Sequence, residues 1–93
     1  MTYFTTRIEL HNATYSDYEK LHTAMQGVGF SRRIAGSDGK TYQLPTAEYV
    51  IIGNYDTNSV RATAAKAAAT IGKNYAVLVT AGTDVAWEGL AAA

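Results

Sequence analysis

The sequence predicts an α+β fold whose strands and helices follow the order β-α-β-β-α-β. Three observations support this prediction. An alternating strand pattern opens the chain, an Asp-Gly turn between two arms that can form strands lies near its middle, and two segments with helical spacing flank that turn. Each helix therefore connects two strands that can run parallel through a right-handed crossover.

The first strand is predicted over residues 2–10, TYFTTRIEL. Successive side chains of a strand point to opposite faces, so its even-numbered and odd-numbered positions separate. The even-numbered positions are expected to face the core: Phe4, Thr6, Ile8 and Leu10. The odd-numbered positions are expected to face solvent or a partner: Tyr3, Thr5, Arg7 and Glu9.

Each helix is predicted to begin at a capping residue. Ser16 and Glu19 have the spacing of a capping box, in which the serine hydroxyl accepts a hydrogen bond from the Glu19 N–H. Apolar residues then recur at helical spacing: Tyr18, Leu21, Met25 and Val28. The second helix is predicted from about residue 58 to residue 71, after a cap at Asp56 or Thr57. Its expected inner face is Val60, Ala64, Ala67 and Ile71.

A hairpin is predicted around residues 36–39, GSDG, because Asp-Gly favours the positive φ of a tight turn. Its first arm is residues 30–35, and its second arm begins at residues 40–44. Pro45 cannot donate to a strand ladder, so pairing should break there and resume at residues 48–52. The second arm is therefore expected to be long and bent.

The last predicted strand covers residues 74–80, and residues 85–90 fit either an added strand or one helical turn. Trp87 is expected to pack on the domain, since a large amphipathic ring gains from burial. The complete order gives a ferredoxin-like sandwich. Its four-stranded antiparallel sheet, of order 4-1-3-2, has both helices on one face. Residues 1–93 are expected to form this single domain.

The composition indicates a folded protein in which cysteine has no role. Hydrophobic residues make up 47% of the chain, and the absence of cysteine excludes disulfides and thiolate nucleophiles. No apolar run approaches the roughly 20 residues of a membrane span, and no signal-peptide pattern opens the chain. We therefore expect a cytoplasmic protein with no membrane partner.

We expect no cofactor and no metal site. His11 and His22 are the only histidines, and Glu9 with His11 has no third ligand at a recognisable spacing. No glycine-rich loop leads into a helix with the Lys-Ser or Lys-Thr of a phosphate loop. No Ser-His-Asp arrangement can be identified from spacing either.

The open face of the sheet admits two interpretations from the residues alone. Aromatic rings beside arginines suit single-stranded RNA, because rings stack on bases and guanidinium groups bind phosphates. A half-apolar face equally suits a homodimer joined through sheet faces or edges. Eight basic and eight acidic residues cancel, and this zero net charge favours the dimer or an ordinary surface over RNA. A third interpretation is small-ligand binding between two packed sheets, in a deep apolar pocket lined by Tyr3, Tyr49 or Tyr75.

Several positions in the middle of the chain resemble the GhoS family: Met25, Phe30, Ser31, the turn glycine, Gln43, Leu44 and Tyr49. The resemblance spans roughly residues 3–80 and keeps the order of the elements. The members of that family are small ferredoxin-like proteins described as type V antitoxins with endoribonuclease activity. The resemblance implies an RNA-binding antitoxin that cleaves a single-stranded messenger RNA, in the named family that of a membrane-active toxin.

RNA cleavage without a metal ion requires a base, an acid and a cation beside the phosphate. For this chemistry the sequence offers His11 as base or acid and Arg7 as the cation. Glu9 joins them, because the fold is also similar to CRISPR-associated adaptor nucleases, in which an acidic residue ends the first strand. Further RNA contacts are predicted from basic and aromatic side chains: Arg32, Arg33, Lys40, Tyr3, Tyr42 and Tyr49.

Overall fold

The computed structural model describes residues 2–93 and contains five strands and two helices. In chain order these elements are β1 (Thr2–Leu10), α1 (Tyr15–Gly27), β2 (Arg33–Ala35), β3 (Thr41–Gln43), β4 (Glu48–Gly53), α2 (Thr57–Ala69) and β5 (Tyr75–Gly82). The predicted α+β class, with two helices and antiparallel pairing, is confirmed. Within the described chain, neither helix has the length and apolarity needed to cross a membrane.

The prediction of one four-stranded sheet of order 4-1-3-2 is wrong. The structure has a three-stranded sheet of order β4-β1-β5 and a separate two-stranded sheet formed by β2 and β3. Ser31 still pairs with Val50 through two backbone hydrogen bonds of 2.8 Å, but the pairing stops there. The Ser31 hydroxyl accepts a hydrogen bond from the Arg33 N–H at 3.0 Å. This local bond lies where the pairing with β4 stops, and side-chain bonds of this kind compete with a strand ladder.

The predicted interruption at Pro45 is found. β3 ends before this residue and β4 begins after it, so the two halves of the predicted second arm belong to different sheets. The Glu48 N–H donates to the carbonyl of Pro45 at 3.0 Å, which closes the connecting turn. Ala47 has a φ of 71° in this turn.

The helix caps are partly as predicted. The predicted capping box of Ser16 and Glu19 is wrong, since α1 is capped two residues earlier. The Thr14 hydroxyl accepts from the Asp17 N–H at 3.2 Å, and the Asp17 carboxylate accepts from the Thr14 N–H at 2.9 Å. For α2 the predicted cap is confirmed, because the Asp56 carboxylate accepts from the Ser59 N–H at 2.8 Å.

The main core lies between the β4-β1-β5 sheet and both helices. The four even-numbered side chains of β1 that were predicted to face the core are buried. They pack with Leu21 and Met25 of α1, with the inner side of α2, and with Tyr49 of β4. Val50 lies opposite Thr5 in the register and therefore on the other face of the sheet. We call these two faces the helix face and the open face.

The open face is covered at one end by a second, smaller cluster. Its buried members are Ile34, Leu44 and Val50, and Tyr3, Tyr42, Val85, Trp87 and Leu90 pack against them. The expected packing of Trp87 is confirmed, although residues 85–90 form neither a strand nor a helical turn. Residues 91–93 then pair with β3, where the Gln43 N–H donates to the carbonyl of Ala91 at 2.8 Å.

Candidate functional site

The predicted catalytic residues lie together at the exposed end of the open face. Arg7 and Glu9 occupy odd-numbered positions of β1, and the His11 N–H donates to the carbonyl of Asn74 at 2.8 Å. This bond extends the pairing of β1 with β5 by one residue, so His11 continues the same face. Glu48 lies opposite Arg7 on β4. We call Arg7, Glu9, His11 and Glu48 the β1 strip.

One ion pair, Arg7 with Glu48, and one contact between the His11 ring and the Glu9 carboxylate organise the β1 strip. A guanidinium nitrogen of Arg7 lies 3.4 Å from Oε1 of Glu48, and Nε2 of His11 lies 3.7 Å from Oε1 of Glu9. The Arg7, Glu9 and His11 side chains are all more than half exposed. Exposed pairs of this kind contribute only about 0–1 kcal/mol to stability. A ligand can therefore displace either pair at little energetic cost.

Arg32 lies on the other side of the sheet from Arg7. Because Ser31 shares the open face with Val50, the next side chain points to the helix face. Accordingly, the Arg32 charge is close enough to affect the pKa of His22, which lies on α1, and that of Tyr49, whose side chain lies on the helix face. Arg33 is exposed on β2, and the two arginines line a hollow of about 330 Å³ at the edge of α1. Arg32 and Arg33 are therefore not brought into the β1 strip.

His22 and Tyr49 form a buried polar pair that the sequence did not reveal. The Tyr49 hydroxyl lies 2.7 Å from Nδ1 of His22, and the two residues are 0% and 7% exposed respectively. Burial, and then the nearby charge of Arg32, lowers the pKa of His22. Burial also raises the pKa of Tyr49, so both groups are held neutral. The Tyr49 ring is enclosed in the core and cannot stack on an RNA base from this position.

The only sequence signal for this pair was the position of His22 in α1. It directly follows Leu21, which belongs to the buried stripe of the helix. A histidine beside such a stripe is often half-buried, but its partner comes from β4, 27 residues further along the chain. Periodicity within one helix carries no information about a partner at that separation.

Tyr3 and Tyr42 line a hollow between the β2–β3 turn and the segment after β5. We call it the Tyr42 hollow; its volume is about 710 Å³, and its lining includes Tyr3, Asp38, Tyr42, Asp84 and Trp87. Tyr42 donates a short hydrogen bond from its hydroxyl to the Asp38 carboxylate. Lys40 is exposed in the turn, and its backbone N–H also donates to Asp38, at 2.9 Å. Of the three tyrosines predicted to line a deep apolar pocket, Tyr3 lines this hollow, whereas Tyr49 and Tyr75 are not part of its lining.

The predicted site residues thus fall into three groups, apart from Tyr49, which is enclosed in the core. Arg7, Glu9 and His11 share the β1 strip, while Tyr3 and Tyr42 line the Tyr42 hollow with Lys40 nearby on the turn. Arg32 and Arg33 lie at the edge of α1. Within residues 2–93, no three His, Asp or Glu side chains come together as metal ligands.

The chain matches no known family model, and no curated protein matches it. The resemblance to the GhoS family therefore rests on the residues named in the sequence.

Proposed function

We propose that the protein is a GhoS-like antitoxin that binds single-stranded messenger RNA at the β1 strip and cleaves it there. The observation that carries this proposal is the Glu9–His11 pair, 3.7 Å apart, next to Arg7 on one exposed strand face. A proton-transfer group, a carboxylate beside it and a cation thereby occupy the same face of one strand.

The proposed reaction uses the 2′-hydroxyl of the RNA as its own nucleophile. His11 removes the proton from that hydroxyl, and the 2′-oxygen bonds to the adjacent phosphorus. Arg7 stabilises the negative charge that develops on the phosphorane oxygens. The bond to the 5′-oxygen then breaks, and the protonated His11 returns the proton to that oxygen. The products are a 2′,3′-cyclic phosphate and a 5′-hydroxyl end.

The charge of the β1 strip sets a limit on RNA affinity. Arg7 is paired with Glu48 in the free protein, and the chain has no net charge. Few phosphates can be neutralised, so binding should be weak, with only a shallow dependence on salt concentration. The proposal therefore requires assays at low ionic strength.

The test is cleavage of an end-labelled, uridine- and adenine-rich single-stranded RNA at low salt, with EDTA present. His11→Gln and Arg7→Gln should each reduce the cleavage rate by about 100-fold or more. Arg61→Gln is the matched control, because Arg61 is exposed on α2 and contacts only Asn58 in its side-chain hydrogen bond. A DNA strand of the same sequence should remain intact, since it lacks the 2′-hydroxyl.

Two results would contradict the proposal. One is the absence of both RNA binding and cleavage at low salt. The other is cleavage by the His11→Gln protein at the wild-type rate, which would place any ribonuclease activity elsewhere.

A second candidate function is a homodimer formed through β5. This strand, YAVLVTAG, is eight residues long, carries no charge and no proline, and lies at an edge of the three-stranded sheet. Leu78 at its centre is 63% exposed. Proteins usually protect an edge strand with charge, proline or a covering element, because an unpaired edge can pair with another chain.

The register identifies which backbone groups of β5 face outward. Since His11 pairs with Asn74 by a backbone hydrogen bond, every second pair along the ladder is bonded in the same way, including Arg7 with Leu78. The N–H and C=O of Leu78 therefore point to β1, and those of Val77 and Val79 point outward. A second copy centred on Leu78 places Val77 opposite Val79 and brings no like charges together.

Light scattering at two protein concentrations tests the homodimer. Leu78→Lys should make the protein monomeric at both concentrations, because two lysines would meet at the centre of the interface. Ile52→Lys is the control: it adds the same charge at an exposed position of the open face on β4, the strand at the other edge of the sheet. A wild-type protein that is monomeric at both concentrations would remove this candidate.

A further inference from the structure

The Tyr42 hollow has aromatic walls set at an angle to each other. The ring centroids of Tyr42 and Trp87 are 5.5 Å apart, and their planes are inclined by 59°. Tyr3 contributes a third ring from β1. The hollow lies toward the end of the open face opposite the β1 strip, because Tyr3 and Glu9 are at opposite ends of the same strand. Its volume of about 710 Å³ is within the range of small-molecule sites.

Gly36 allows this close arrangement of rings and carboxylate. A Cβ at that position would lie 2.7 Å from Oδ1 of Asp38 and 3.0 Å from the ring of Tyr42. Both distances are too short for an unstrained contact. The backbone at Gly36 therefore forms part of the wall, and Asp38 and Tyr42 close in beside it.

The charge of the hollow is negative. Asp38 and Asp84 line it, and none of the described residues that line it is basic. The hydrogen bond from the Tyr42 hydroxyl, and then that from the Lys40 N–H, lowers the pKa of the Asp38 carboxyl, which keeps it ionised at neutral pH. Aromatic faces also carry partial negative charge. The carboxylates and the ring faces thus both favour a positively charged ligand.

We infer that the Tyr42 hollow binds a small organic cation carrying an amine or guanidinium group. The cation would lie against the faces of Tyr42 and Trp87, as in other aromatic cation sites. The carboxylates of Asp38 and Asp84 accept its N–H groups. An anionic ligand is disfavoured, since no described cation in the lining would compensate its charge. This inference is independent of RNA cleavage at the β1 strip.

Trp87 provides the readout, because it is the only tryptophan in the chain. Agmatine, which carries both an amine and a guanidinium group, is titrated at constant ionic strength while tryptophan fluorescence is followed. Butylurea serves as an uncharged analogue, and 4-guanidinobutanoate as an analogue with a carboxylate in place of the amine. We expect a saturable response to agmatine and a clearly weaker response to both analogues.

Variants locate the binding. Asp38→Asn and Asp84→Asn should each weaken agmatine binding by roughly fivefold or more. Glu19→Gln removes an equal charge from α1, on the helix face, and should bind agmatine as the wild type does. Because Asp38 also holds the hairpin turn, Asp84→Asn gives the cleaner result; Asp84 accepts no hydrogen bond within residues 2–93 that its loss would disrupt.

Three outcomes would overturn the inference. The first is the absence of a saturable fluorescence change at any soluble agmatine concentration. The second is an equal response to butylurea, which would indicate apolar contact alone. The third is unchanged agmatine affinity in Asp84→Asn, which would place the cation outside the hollow.

Discussion

The helix face and the open face of the sheet are buried in different ways. On the helix face, two regular helices and three strands enclose a core that includes Ile8, Leu21 and Tyr49. On the open face, a short hairpin and the irregular segment after β5 bury only Ile34, Leu44 and Val50. A helix presents a continuous apolar stripe, whereas an irregular segment contributes isolated side chains. Coverage of the open face therefore stops before the β1 strip.

This difference decides where polar side chains remain accessible on the sheet. Both the β1 strip and the Tyr42 hollow are on the open face, one beyond the small cluster and one within its border. The buried side chains of the helix face are already committed to packing. Incomplete coverage of a sheet leaves exposed polar groups on a rigid platform, and such groups can bind a ligand without first breaking a core.

The largest expected effect comes from matched truncations in the two clusters. Ile8 and Ile34 are both buried, at 0% and 3% exposed. Ile8→Ala should lower the free energy of unfolding by about 4 kcal/mol, and Ile34→Ala by about 2 kcal/mol. The loss at Ile34 is smaller because its partly exposed neighbours can move into the cavity that the truncation leaves. Chemical denaturation measures both values. Equal losses would show that the small cluster is as tightly packed as the main core.

The second largest loss of stability is expected when the buried polar pair of the helix face, His22 and Tyr49, is broken. Tyr49→Phe removes the hydroxyl that lies 2.7 Å from Nδ1 of His22 and leaves that nitrogen buried without a partner. We expect a loss of about 2 kcal/mol in the free energy of unfolding. Tyr55→Phe is the control, since Tyr55 is 54% exposed and should change stability by less than about 0.5 kcal/mol. Similar losses for the two variants would argue against a hydrogen bond at His22.

The elements of the helix face could be predicted from the sequence, because each has a local signal. The alternation in β1 identified both its buried side and the side that carries Arg7 and Glu9. The apolar spacing of α1 and α2 placed Leu21, Met25 and Ala64 in the core. Strand and helix periodicity act over a few residues, and the sequence contains that information directly.

The arrangement of the open face could not be predicted in the same way. The sheet divides where the Ser31 hydroxyl bonds to the backbone of Arg33, and the hollow depends on Trp87 meeting Tyr42 across 45 positions of the chain. Residues 91–93 gave no signal at all, yet they pair with β3. Such contacts are tertiary, and no local pattern in either partner specifies the other.

A smaller effect, faster local hydrogen exchange, should be confined to the open face. Trp87→Phe weakens the contact of this ring with Tyr42 in the small cluster without reaching the main core. Hydrogen exchange of the Gln43 and Leu44 amides, which are bonded to Ala91 and Arg32, should accelerate by about tenfold through local opening. The Ile8 amide should exchange at its wild-type rate. Uniform acceleration would show that the two clusters open as one unit.

The smallest expected effect is a pH dependence of the free energy of unfolding, which arises from His22 on the helix face. Burial, followed by the charge of Arg32, lowers the pKa of His22 in the folded protein. As the pH falls below about 6.5, the unfolded chain takes up a proton at this histidine that the folded chain does not. The free energy of unfolding should therefore decrease between about pH 7.5 and about pH 5.5.

Two variants test whether His22 causes this loss. His22→Gln should reduce the stability difference between the two pH values, whereas Thr23→Gln, at an exposed position of the same helix, should preserve it. The aspartates whose pKa is lowered, Asp17, Asp38 and Asp56, remain ionised in this interval and contribute only at lower pH. An unchanged pH dependence in His22→Gln would mean that the titrating group lies elsewhere, and the open face would then be the place to search for it.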